Sequence, residues 1–249
     1  MSVEIIKKAE HAIGAFNGGE ILEHKPIGFP QEGGKLKGYS NILYWAHAWS
    51  DEGSTIGLHP HKGFEIMSFV LKGSIDHYDT KQRKWIPLEA GGAQIIRSGS
   101  GISHSERLNA GAHMFQIWFD PGLSSTIQQP ASYDDYKDED FPVTEENGIT
   151  IKWYKGRNSP LKMDTLDVTI KEMTFDKGVV NWDLNSDMVY SIYLLDGDFS
   201  INQQEMEVDD FALVYDMDHV MLQPTQNARI FVIETPRELP YKTYLSQYN

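Results

Sequence analysis

The chain has 249 residues, of which 36 are acidic and 22 basic, giving a net charge of −14, and it contains no cysteine. That length allows one large domain or two modest ones with a sizeable core. The acidic balance argues against direct binding to nucleic acid or to an anionic membrane surface, and without cysteine there is neither a disulfide framework nor a thiolate site.

The N-terminal residues carry no apolar run of signal-peptide length, and no stretch approaches the roughly 18 apolar residues of a membrane span. The expectation is a cytoplasmic protein. Residues 1–40 mix a short apolar opening with turns at Gly18, Pro26, Gly28, Pro30 and Gly33, which predicts turn-paired strands. Leu43 to Trp49 is aromatic and strand-like, with Trp45, His47 and Trp49 on one face. That face reads as packed aromatic core, with a pocket wall as the alternative.

The next fifty residues carry the chemistry. Gly53 is followed after five residues by His59-Pro-His61, and after three more by Glu65. Gly99-Ser-Gly101 leads into His104-Ser-Glu106. In a strand, side chains at i and i+2 share a face, so His59 and His61 project together, as do His104 and Glu106. Taken singly, each pair is common by accident of composition. Taken together, on two strands that meet, they place three imidazoles and a carboxylate around one point. Such a set suits one divalent first-row ion (Fe, Mn, Ni, Cu, Co or Zn) and leaves positions open for substrate or water.

Between the two ends lies Phe64 to Leu71, apolar on both faces, as in a strand covered on both sides. Counting in twos from the histidines puts Glu65, Met67, Phe69 and Leu71 on their face. His77 has no partner at matching spacing and reads as a surface or hydrogen-bonding residue. Ala93 to Arg97 and His113 to Phe119 are further strands, and His113 reads as a core or edge residue rather than a support for the site. The acidic stretch Tyr133 to Asp140 lacks the alternating ligands and central glycine of a calcium loop, so it reads as a solvated linker. From Gly148 onward short, turn-bounded strands resume, the signature of a sandwich or barrel. Tyr193-Leu-Leu-Asp-Gly197 echoes Phe69-Val-Leu-Lys-Gly73, an internal repeat. The second copy has no His-x-His and only one histidine, His219.

The run His59 to Glu65, then Phe69 to Gly73, Ser98 to Glu106, Gln116-Ile-Trp118 and Gln129 to Tyr133 resembles the pirin family of bicupins. The resemblance is dense from Gly53 to Tyr136. It implies an all-β bicupin, with two jelly-roll-like barrels packed together: residues 1–120 a metal-binding cupin, 121–146 an acidic linker, and 147–249 a degenerate cupin without metal. It also implies that His59, His61, His104 and Glu106 hold one ion, most often iron, and that Glu65, a ligand in many cupins, is not one here. Gly99 stands where the second cupin motif usually has proline. The activity implied is that of a quercetin 2,3-dioxygenase, opening a flavonol-like or other enolisable or phenolic ring with O2, with Glu106 as both ligand and proton acceptor. The alternative is a metal-dependent regulator that binds a transcription factor or a metabolic enzyme. A cupin isomerase or a hydrolase of a sugar-like metabolite is disfavoured, because no Lys/Arg cluster for a phosphate accompanies the motifs.

Overall fold

The structure, a computed structural model, describes residues 2–247; Met1, Tyr248 and Asn249, the outermost residues of the two sequence-defined halves, lie outside the described residues. Its regular structure is almost entirely antiparallel strand, as the short alternating segments require, and the chain separates into two compact units.

The first unit to be described contains His11–Asp140, Met163–Leu166 and Tyr241–Asn249. A seven-stranded sheet runs, in spatial order, Ser132–Tyr136, Ala93–Arg97, Glu65–Lys72, Ala112–Phe119, Ile42–Ser50, Ile21–Ile27 and Ala12–Phe16. A four-stranded sheet runs Ser54–His61, Ile102–Leu108, Ser74–Asp79 and Trp85–Glu89. An apolar cluster that includes Ile21, Ala48, Ile56, Val70, Leu108 and Met114 fills part of the interior. A second one, Ile66, Ile96, Ile102 and Ala131 with Trp118 and Tyr133 against it, fills another part. The strands that carry these residues also carry buried polar groups, Ser68, Gln94, His104, Glu106 and Gln116.

The second unit contains Met1–Glu10, Phe141–Lys162 and Asp167–Pro240. Its sheets repeat the first pattern strand for strand. The seven-stranded sheet runs Ser2–Ile6, Phe211–Tyr215, Met188–Asp196, Ala228–Pro236, Thr169–Phe175, Ile149–Lys155 and Val143–Glu146. The four-stranded sheet runs Val180–Asp183, His219–Pro224, Phe199–Ile201 and Gln204–Met206. The echo between Gly73 and Gly197 falls at the ends of equivalent strands. Both glycines have positive φ (69° and 85°), and a Cβ on either would press on the first residue of the equivalent strand, Ala112 or Ala228. Only glycine tolerates both demands at little cost.

The partition differs from a division at residues 120 and 147. Ser2–Ile6 pairs with Phe211–Tyr215, so the opening strand completes the second unit. Residues 241–247 and 163–166 belong with the first. The acidic stretch is not purely linker, because Ser132–Tyr136 forms an edge strand on Ala93–Arg97. These exchanges are pairings between residues far apart in sequence, which no local pattern announces. No helix among the described residues is long and apolar enough to cross a membrane.

Candidate metal centre

Two turns set the site. Gly63 N–H donates to Gly99 O at 2.9 Å, and Ser98 N–H donates to Phe64 O at 2.9 Å. The turn after the first histidine pair and the glycine loop before the second are thereby tied together. Ser54–His61 then lies antiparallel to Ile102–Leu108, with His61 opposite Ile102 and His59 opposite His104. Directly opposed residues share a face, so all three imidazoles point the same way. Past His104 the register slips, and Glu106 stands opposite Ile56. Ser105 Oγ donates to Ile56 O at this bulge.

The Nε2 atoms of His61 and His104 are 2.9 Å apart, and those of His104 and His59 are 3.0 Å apart. The ligand atoms of the three residues all lie within 4.8 Å of one another. His59 Nδ1 is 2.8 Å from Gly57 O, so that nitrogen carries the proton and Nε2 presents a lone pair to the cluster. Burial, with His104 and His59 close by, holds the His61 pKa at about 3, below the ordinary 6.5. Burial and His59 likewise hold His104 well below that value. These are neutral imidazoles with lone pairs to offer. A single nitrogen on His104 cannot satisfy two neighbours by hydrogen bonding, since it has one proton or one lone pair. An ion among the three would satisfy all of them, and imidazoles on one ion, each about 2.0–2.1 Å from it, sit at roughly this separation. The residues present fit a divalent transition metal.

Glu106 is not part of that close set. It is fully buried, and its Oε1 accepts from Ser68 Oγ at 2.8 Å and from Gln94 Nε2 at 3.0 Å. Gln116 Nε2 donates to its other oxygen. Gln94 Oε1 in turn accepts from Tyr133 OH at 3.2 Å, and Gln116 Oε1 accepts from Trp118 Nε1 at 3.2 Å. The carboxylate thus sits in a cradle of neutral donors. Sequence reading found Glu106 but not the cradle, because Gln and Ser carry no metal-motif signal.

Glu65 corrects an expectation. It does not share the histidines' face: Asp164 N–H and Thr165 N–H donate to its two oxygens at 2.7 and 2.9 Å, and the Thr165 hydroxyl donates as well. Arg97 Nε lies 3.7 Å away. Parity holds only within a strand, and the turn at Gly63 lies between His61 and Glu65. On Glu65–Lys72 it is Ser68, of the opposite parity, that faces Glu106. His77 is fully buried rather than at the surface; its Nε2 is 2.8 Å from Asp79 Oδ2, and its ring stacks on Tyr133 at 4.3 Å. Trp45 packs edge-on against Phe115, and His47 lies 3.2 Å from His113, on the sheet face opposite Met114 and Ala48. The aromatic side chain beside the site is instead Trp118, edge-on to His61 with ring centroids 4.7 Å apart.

Residues 40–119 match the Pirin family, so the matched segment contains both histidine motifs. Quercetin 2,3-dioxygenase of Escherichia coli K12 is 25% identical over 206 residues, covering 75% of this chain and 78% of the relative. Pirin-like protein 2 of Arabidopsis thaliana is 35% identical over 104 residues, 40% of this chain and 31% of that one. In fold, the bacterial pirin YhhW of Escherichia coli, solved with nickel(II), superposes with a TM-score of 0.79 at 19% identity, over 95% of this chain and all of that one.

The chain resembles the pirin family over residues 40–119 and shares the fold of a bacterial pirin.

It is an all-β bicupin, and a quercetin 2,3-dioxygenase of Acinetobacter baumannii shares the fold at a TM-score of 0.80 and 18% identity, over 98% of this chain and 82% of that one. Among the described residues, the second cupin offers no such donor set. Its equivalents of the two motif strands, Val180–Asp183 and His219–Pro224, place Val180, Trp182, Val220 and Leu222 in or against an apolar core.

Proposed function

We propose that this chain is a pirin-like, metal-dependent dioxygenase that opens a flavonol-like or similarly enolisable aromatic ring with O2. One observation carries the reading: three converging imidazoles stand on the same strand pair as a buried carboxylate held by Ser68, Gln94 and Gln116. His59, His61 and His104 would hold one ion, iron foremost among Fe, Mn, Ni, Co, Cu and Zn, with Glu106 as the fourth ligand. A redox-capable ion bound there would acidify a chelating hydroxyl and bring O2 to the electron-rich ring.

The chain's own groups do the rest. Glu106 takes the proton of the ring hydroxyl, a general-base role that requires the carboxylate to be positioned in advance. The amides of Gln94 and Gln116 supply that positioning without adding charge. Trp118 covers His61 and keeps water from one side of the site. Ring opening with both atoms of O2 entering the organic product, and one ring carbon leaving as carbon monoxide with the hydroxyl oxygen, balances without an external reductant. A cytoplasmic location belongs to the same reading.

The test is oxygen uptake with quercetin, using protein reconstituted separately with each ion. One O2 consumed per flavonol, with carbon monoxide released, is expected for a redox-active ion and not for zinc. Glu106→Gln should lower kcat/KM by about 100-fold or more, the usual worth of a general base. Loaded protein that takes up no oxygen with any ion would overturn the enzyme reading in favour of metal-dependent binding to a regulatory partner protein.

A further inference from the structure

A cavity of about 490 Å³ opens beside the candidate centre, with Phe29, Leu43, Phe64, Trp118, Tyr244 and Leu245 in its wall. That volume falls within the roughly 300–1,000 Å³ of small-molecule pockets. Trp118 is shared: one side of the indole meets His61, and Phe29 approaches it at 5.4 Å and Phe64 at 6.2 Å. Trp118 is therefore a wall that the cavity shares with the histidine triad.

Two of its walls come from the far end of the chain. Residues 241–247 return to this unit and are fastened to one buried residue, Asp120, through its backbone carbonyl and its carboxylate. Tyr241 OH donates to Asp120 O at 2.6 Å, and Tyr244 N–H donates to Asp120 Oδ2 at 2.6 Å. Gly122 N–H donates to Asp120 Oδ1 at 2.9 Å and fixes that carboxylate in turn. Tyr244 then sets its ring edge-on to Phe64, with centroids 5.4 Å apart. Leu245 reaches Gly38, where any Cβ would overlap its methyl group, so the missing side chain there makes room for the segment.

Resting on the reading of the histidine triad as the reacting centre, we propose that this cavity binds the pendant ring of a planar aromatic ligand, and that segment 241–247 is the specificity wall that limits ring size. The occupant is apolar and flat: the six walls named present aromatic faces and edges and two leucines, and aromatic pairs at such distances favour edge-on or offset packing. Tyr244 and Leu245 act on ligand choice and are neither proposed metal ligands nor the proposed base.

The experiment uses flavone, which has no 3-hydroxyl and so does not chelate through it, with metal-free full-length protein and calorimetric titration. Wild type should bind flavone. Leu245→Trp, which fills the cavity from a half-exposed position, should weaken binding at least tenfold while metal content after reconstitution is unchanged. Leu245→Ala, which enlarges the cavity, should keep binding within threefold. Equal affinity in wild type and Leu245→Trp, or no flavone binding by wild type, would overturn the proposal. If loaded protein consumes no oxygen with quercetin, yet Leu245→Trp still removes flavone binding, the pocket stands and the dioxygenase reading falls.

Discussion

Ser68 Oγ donates a 2.8 Å hydrogen bond to Glu106 Oε1, joining a strand of the seven-stranded sheet to one of the four-stranded sheet inside the cupin that carries the histidine triad. Both groups are fully buried. Ser68→Ala removes the donor with little change in size, leaving a buried carboxylate short of a partner. The expected cost is about 1–3 kcal/mol of stability, read as a lower midpoint in urea unfolding of the metal-free protein. An unchanged midpoint would show that the cradle does not hold Glu106 in the way described.

The two buried glutamates should behave differently. Glu65 ties down Asp164 and Thr165, whereas Glu106 stands on the strand of His104. Glu65→Ala should leave metal content intact and raise hydrogen exchange at residues 163–166. Glu106→Ala should lower metal content. Loss of metal in Glu65→Ala would place that residue in the ligand set after all.

Acid should weaken the metal-free protein in a defined window. His61 has a folded pKa of about 3 against 6.5 for an ordinary histidine. Above about pH 6.5 the residue is neutral in both states and favours neither. As pH falls from 6.5 toward 3, the unfolded chain takes up a proton that the folded chain refuses, so stability falls with decreasing pH. His61→Asn should flatten this slope, measured as the unfolding midpoint at a series of pH values. An identical slope in the variant would remove His61 as its source.

Much of this was legible in the sequence because strand periodicity is strict. His59, His61 and His104 needed only the i, i+2 rule and two strands that meet. The repeat was visible at Gly73 and Gly197 because a positive φ against a crossing strand demands glycine at both. Other features obeyed no local rule. Glu65 was put on the wrong face because the count was carried through the turn at Gly63, where alternation stops. His77 gave no sign of burial: Asp79 shares its strand face at i+2, but Tyr133, which stacks on its ring, becomes its neighbour only in the fold. Gln94 and Gln116 are chemically unremarkable until they converge on Glu106. Ser2–Ile6 and residues 241–247 crossed the expected domain boundaries through long-range strand pairing and through Asp120.

The claim on which the rest depends is that His59, His61 and His104 bind a metal. Elemental mass spectrometry of the purified protein, beside His61→Ala and His104→Ala, tests it most directly. The account predicts one transition-metal ion per chain, lost in both variants, with nothing held by the second cupin. Protein that stays metal-free after reconstitution, or variants that keep the full complement, would contradict it.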